Sequence, residues 1–201
     1  MAGSRMARTF LPIALAFAAG CLPSGRIVAR LSGAGAIESL GDGKPGASNV
    51  FHTVGPVPGA AVLALDCLKA LLPAAALRPC GASENTVAAA AVAPVVAHVM
   101  VVGGQGVAAT MGAGFAIDPT ATSLVLVPVV GGTVVGYHVQ SVLGAALALP
   151  FVCAIHRKGS GWRAAGLPVI LVATRLRGRP GSGLPPSAGV ALSRLLRDND
   201  G

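Results

Sequence analysis

Thr86-Val87-Ala88-Ala89-Ala90-Ala91-Val92-Ala93-Pro94-Val95-Val96-Ala97-His98-Val99-Met100-Val101-Val102 is an uncharged, apolar run. It lies inside a longer silence: of all Asp, Glu, Lys and Arg residues, only Asp118 falls between Glu84 and Arg157. A chain folded in water carries about a quarter charged residues. This chain of 201 residues carries 11%, against 53% hydrophobic, with a mean hydropathy of +0.73. So low a charge density excludes an ordinary aqueous globule. Apolar helices in a bilayer account for it, because a helix satisfies its own backbone where no water can.

A crossing helix needs about twenty residues, fewer where the bilayer thins. Working outward, the apolar runs are 10–28, 57–77, 86–102, 107–117, 123–135, 138–155 and 167–176. They predict an all-α, polytopic helix bundle of about seven transmembrane helices, in one integral domain over 1–201. Residues 179–201 are expected to be a loosely ordered basic tail. Glycine and alanine dominate the runs, so backbones can approach closely. Arg5 and Arg8 before an apolar stretch ending Ala19-Gly20-Cys21 have the layout of a signal peptide. The many following runs favour an uncleaved first helix.

The net charge of +8 sits in the ends and loops. Basic residues beside apolar spans mark cytoplasmic loops and anionic lipid. Aromatic residues are only 3%, too few for base stacking, so nucleic acid is excluded as a partner. Arg26, Arg30 and Lys44 flank the first loop; Arg175, Arg177, Arg179, Arg194 and Arg197 lie near the C-terminus. Seven spans put both groups on one side, the cytoplasmic one, although Arg5, Arg8, Arg157, Lys158 and Arg163 count against it. Cys21, Cys67, Cys80 and Cys153 have no metal-ligand spacing and read as small buried hydrophobes.

The polar interruption with most chemistry is Gly41-Asp42-Gly43-Lys44-Pro45-Gly46-Ala47-Ser48-Asn49-Val50. Its glycines let backbone approach a ligand, and clustered N–H groups can cradle an anion. Phosphate at a membrane surface points to lipid head-group chemistry. Asp66 and Lys69, three apart on one helix, share a face. Charge inside a span points to function, and a structural pair near the interface fits equally.

Leu22-Pro23-Ser24-Gly25, the 41–50 loop, Gly55, Gly59, Asp66 and Lys69 together resemble the start of the bacterial acyl-phosphate:glycerol-3-phosphate acyltransferases, the PlsY family. Ala97-His98 and Gly103-Gly104-Gln105-Gly106-Val107-Ala108-Ala109-Thr110 resemble its second motif. Tyr137 and Ser141 resemble a third. The likeness fades in the tail, where only Ser193-Arg194-Leu195-Leu196 and Asp200 remain.

The resemblance implies a glycerol-3-phosphate acyltransferase of phospholipid synthesis. It would move an acyl group from acyl phosphate to the first hydroxyl of glycerol 3-phosphate, giving lysophosphatidic acid, with no metal and no cofactor. Its partners would be those two substrates and membrane lipids. Its place would be the bacterial plasma membrane, with the active face cytoplasmic. Catalytic roles fall on Ser141 and His98. Substrate binding falls on Gly43, Lys44, Gly46, Ser48, Asn49, His52, Gly103, Gly104, Gln105 and Gly106.

The chain departs from the pattern at charged positions. Asp42 replaces a serine, Lys44 an asparagine and His52 an arginine; Val102 and Gln105 stand where the second loop has lysines. A carboxylate beside phosphate repels it unless paired. Lys44 is therefore expected to pair with Asp42 in the empty loop and to meet the phosphate. The lost cations also leave a second reading: a catalytically degenerate relative that binds lipid or phosphate, or scaffolds a partner.

Overall fold

The computed structural model describes residues 2–157 and 161–176, with residues 2–8 by backbone alone. The 179–201 tail and its Ser193-Arg194-Leu195-Leu196 sequence lie outside the described residues. Within them every regular element is helical. In chain order these are α1 (Ala2–Gly20), α2 (Ser24–Leu31), α3 (Ala47–Thr53), α4 (Pro56–Ala75), α5 (Glu84–Ala97), α6 (Val107–Ile117), α7 (Pro119–Val134), α8 (His138–His156) and α9 (Gly166–Leu176).

Each of the seven apolar runs folds as helix. Among the described residues, four segments are long and apolar enough to cross a bilayer: Thr9–Leu31, Pro56–Ala75, Glu84–Val102 and His138–His156. Val107–Ile117 and Pro119–Val134 are apolar but shorter. Starts follow local chemistry. Pro56 opens α4, where its missing N–H costs nothing. The Ser83 hydroxyl accepts from Thr86 N at 3.2 Å to cap α5.

The first run differs from a single helix over 10–28. It breaks after Gly20 and restarts at Ser24, with Pro23 at the cap. Proline has no N–H to continue the ladder. At the break the Leu22 carbonyl accepts from Ser24 N at 3.0 Å and keeps a lone pair for a second donor, which matters below.

Large side chains point outward along the helices: Phe10, Leu11 and Leu15 on α1, Leu68 and Leu72 on α4, Phe151 and Ile155 on α8 are exposed. Alanine, valine and glycine fill the interior. This inverts the arrangement of a water-soluble protein and suits helices whose outer faces meet lipid.

The chain forms two compact units, one ending at Ile117 and one starting at Asp118. In the first, α1 packs on α5, and α4 on α6 and α3. Small residues permit this: a Cβ on Gly20 would fall 2.5 Å from Pro94 Cα, and one on Gly112 would fall 2.0 Å from the Cys67 carbonyl oxygen. In the second, α7 and α8 form an antiparallel hairpin. Asp118 begins α7, is 1% exposed and accepts from Ala121 N at 3.0 Å. It also meets His156 Nδ1 at 2.9 Å and Arg157 Nε at 3.7 Å at the far end of α8. Burial pushes its carboxyl up, but Ala121 N–H, His156 and Arg157 prevail and hold it below the ordinary 3.8.

Two outcomes test this packing in detergent-solubilised protein. Gly112→Ala should lower stability by about 1–3 kcal/mol, while Gly131→Ala, which meets open space, should leave the melting temperature unchanged. Asp118→Asn should lower the melting temperature at neutral pH. Because the folded-state pKa is depressed, the wild-type advantage is whole above 3.8 and disappears as pH falls through the lower folded-state value.

Candidate active site

The first glycine loop is held shut from within. Gly41 and Gly43 take φ of +53° and +73°, a region open to glycine. Asn49, buried at the start of α3, donates both amide hydrogens to loop carbonyls: Leu40 O at 3.0 Å and Lys44 O at 3.0 Å. Gly41 makes room for it, since a Cβ there would lie 2.1 Å from Asn49 Oδ1. Asn49, expected to bind substrate, thus commits its donors to the loop itself. Asp42 accepts from Lys44 N at 2.9 Å, and its other oxygen lies 3.9 Å from Lys44 Nζ. The expected Asp42–Lys44 pair is present. Ser48 and His52 are exposed, and the His52 ring meets Phe51 edge-on at 5.5 Å. Nearby, Arg26 pairs with Glu38, whose carboxyl is held below its ordinary range chiefly by that guanidinium.

The second glycine turn is built on a histidine. After α5 the backbone widens into a π-helical turn, His98–Val102, closed by Gly103 N donating to His98 O at 3.1 Å. Gly103 and Gly106 take φ of +83° and +79°. Such widened turns occur often at functional sites. Gly104 lies directly over the imidazole: a Cβ would fall 2.1 Å from His98 Nε2. Gln105 is half-buried in the turn.

Beneath both loops is a buried polar cluster. Lys69 Nζ lies 2.8 Å from Asp66 Oδ1, 2.6 Å from His98 Nδ1 and 3.1 Å from Leu22 O. Ser24 Oγ donates to Asp66 Oδ1. Ser24, Asp66, Lys69 and His98 are all buried. An ammonium has three protons, and here it has three acceptors. His98 Nδ1 must accept from it, which puts the imidazole proton on Nε2, the side facing Gly104. His98, expected to be catalytic, is therefore closed in, with one nitrogen engaged by Lys69.

Helix α2 links the cluster to the first loop. Ser24 holds Asp66, and next to it Gly25 lies under Pro45, where a Cβ would be 2.4 Å from the carbonyl oxygen. The structure thus joins the 41–49 loop, the 103–106 turn and His98 within the first unit. Ser141 belongs to the second. Its hydroxyl donates to His138 O at 2.8 Å, and it lines an open cavity of about 330 Å³ with Leu124, Val125, Pro128, Ala145 and Val152 among the walls.

In the sequence Ser24 stands out only as part of the 22–25 motif, and the spacing of Asp66 and Lys69 fits a structural pair as well as a functional one. The signal was available: polar residues on three apolar segments have few partners except one another.

A family model described as glycerol-3-phosphate acyltransferase matches residues 10–179. The chain is 34% identical over 152 residues to the glycerol-3-phosphate acyltransferase of Geobacter sulfurreducens, covering 72% of this chain and 78% of that one. It is 31% identical over 171 residues to the glycerol-3-phosphate acyltransferase of Neisseria meningitidis, covering 80% and 85%. Its fold is similar to the crystal structure of PlsY, an integral membrane glycerol 3-phosphate acyltransferase, in the glycerol 3-phosphate form. That match has a TM-score of 0.75 and 22% identity, over 83% of this chain and 88% of that one. The chain belongs to the glycerol-3-phosphate acyltransferase family.

Asn49→Ala removes two hydrogen bonds from the first loop, each worth about 0.5–1.5 kcal/mol, and leaves Leu40 O and Lys44 O only their bonds from Gly43 N and Gly46 N. Hydrogen exchange of the 41–46 amides should then rise sharply, while amides of α6 stay protected.

Proposed function

We propose that the protein transfers an acyl group from acyl phosphate to the first hydroxyl of glycerol 3-phosphate. The hydroxyl oxygen bonds to the acyl carbon, the carbon–oxygen bond to phosphate breaks, and the hydroxyl proton leaves with the phosphate. Lysophosphatidic acid and inorganic phosphate result. The observation that carries this reading is the family match over residues 10–179, a range that includes both glycine loops.

The first loop offers Lys44 as a cation and the exposed Ser48 hydroxyl to a phosphate. Lys44 would exchange Asp42 for the more highly charged ligand, a charge-assisted contact. The Gly103–Gly106 turn approaches a ligand with bare backbone, which places fixed N–H dipoles against charge that develops during transfer. The cavity beside Ser141 has the apolar walls an acyl chain needs. The basic residues Arg26, Arg30 and Lys44 around the first loop favour a cytoplasmic site in a bacterial plasma membrane.

One observation favours the second reading, a non-catalytic relative. Val102, at a family lysine position, is uncharged and 2% exposed, so it can give no charge to a phosphate.

The decisive measurement is product formation by proteoliposomes given glycerol 3-phosphate with acyl phosphate, acyl-CoA or acyl carrier protein. Lysophosphatidic acid should form with acyl phosphate and not with the other two. Absence of product with every donor would leave the non-catalytic reading standing. In active protein, Lys44→Ala should raise the KM for glycerol 3-phosphate roughly tenfold, the size of one lost charge-assisted contact.

A further inference from the structure

The buried Ser24–Asp66–Lys69–His98 cluster spends all three Lys69 protons on internal acceptors, and it reaches both glycine loops. We infer that Lys69 is a positioning residue for the second loop, acting through His98, and that the same cluster ties that loop to the first. The inference deepens the proposed function and rests on the 103–106 turn being a substrate contact.

The argument runs outward from the ammonium. Lys69 spends its three protons on Asp66, His98 and Leu22 O. The Leu22 acceptor exists because Pro23 breaks the first span. With Nδ1 taken, His98 can hold only the Nε2–H tautomer while neutral. A ring fixed at one nitrogen cannot flip or tilt freely. Its other end lies where a Gly104 Cβ would be, 2.1 Å from Nε2. The imidazole is thus a pillar under the turn, and Lys69 sets its height and orientation. A turn with two positive-φ glycines, Gly103 and Gly106, has little stiffness of its own, so its shape depends on what it rests on. On the other side, Ser24 donates to the same Asp66 oxygen that Lys69 holds. Its neighbour Gly25 carries Pro45 of the first loop. One buried ion pair therefore fixes the floor of both loops.

The His98 position can be dissected by replacing each nitrogen separately. In Asn, the amide oxygen can stand near Nδ1 and keep the Lys69 proton, but the space under Gly104 empties. In Gln, the amide nitrogen can reach the Nε2 position and keep the support. Steady-state kinetics of the full chain in proteoliposomes should show His98→Asn raising the KM for glycerol 3-phosphate roughly tenfold, with kcat falling much less. His98→Gln, which keeps the support but gives up the Lys69 bond, should raise the KM less, by about threefold. Equal KM values for the two variants, or a His98→Asn value equal to wild type, overturn the inference. A purely structural role would lower the active fraction, hence apparent kcat, and leave KM alone. A second readout needs no activity. Nitrogen-15 NMR of histidine-labelled protein, with His98 assigned by its loss in His98→Asn, should show the Nε2–H tautomer in wild type and a redistributed population in Lys69→Met. An Nδ1–H tautomer in wild type overturns the inference. If wild type makes no product, the functional reading fails, and the tautomer measurement alone decides whether Lys69 orients His98.

Discussion

An ammonium buried among apolar helices is tolerable only if every proton has an acceptor, and Lys69 meets that condition with Asp66, His98 and the Leu22 carbonyl. Much of the first unit follows from this requirement. The carbonyl must be open to a second donor, and the break in the first span leaves it so. The carboxylate must be on the same face of α4, which the spacing of three provides. The imidazole must arrive from α5, which fixes how far α5 slides along α4. Each Lys69 proton thus has its acceptor, in a place where stranded polar groups are costly.

The close approach of the helices is the second constraint. Lipid offers apolar side chains no reason to leave it, so packing gains come from backbone contact rather than from burying large residues. Gly20 against Pro94, Gly112 against Cys67 and Gly59 against Phe51 are points where this contact leaves no room for a Cβ. Large residues such as Leu72 and Phe151 are left to face outward. The second unit uses a different device. Asp118 caps α7 and grips the end of α8 through His156 and Arg157, so one carboxylate closes a hairpin at its open end.

The chemistry of the glycine loops depends on both constraints. A loop that receives a phosphate must present its groups in a fixed frame, since ordering it on binding would weaken the affinity. Here the first loop is ordered by Asn49 and by Gly25 beneath Pro45, and the second by His98 beneath Gly104. Asn49 and His98 shape the loops. In the proposed function, Lys44 and Ser48 are the side chains that would meet the phosphate.

The sequence by itself determined that this is a helical membrane protein. The charge silence from Glu84 to Arg157 is a property of composition, and composition is additive along the chain. The sequence also determined the family, because motif order survives the replacement of several charged residues. It located Asp66 and Lys69 on one face and paired Lys44 with Asp42, since both are short-range relations. Only the tertiary structure decided what Asn49, His98 and Ser24 do. Their partners lie far away in the chain: Ser24 meets Asp66 across 42 positions, and Lys69 meets His98 across 29. Which polar groups meet depends on how helices slide and rotate against one another, and that is set by where glycines allow contact. No local pattern carries that information. The break at Pro23 shows the same division. Proline predicts an interruption, but only the fold shows that the Leu22 carbonyl completes the shell of a buried lysine.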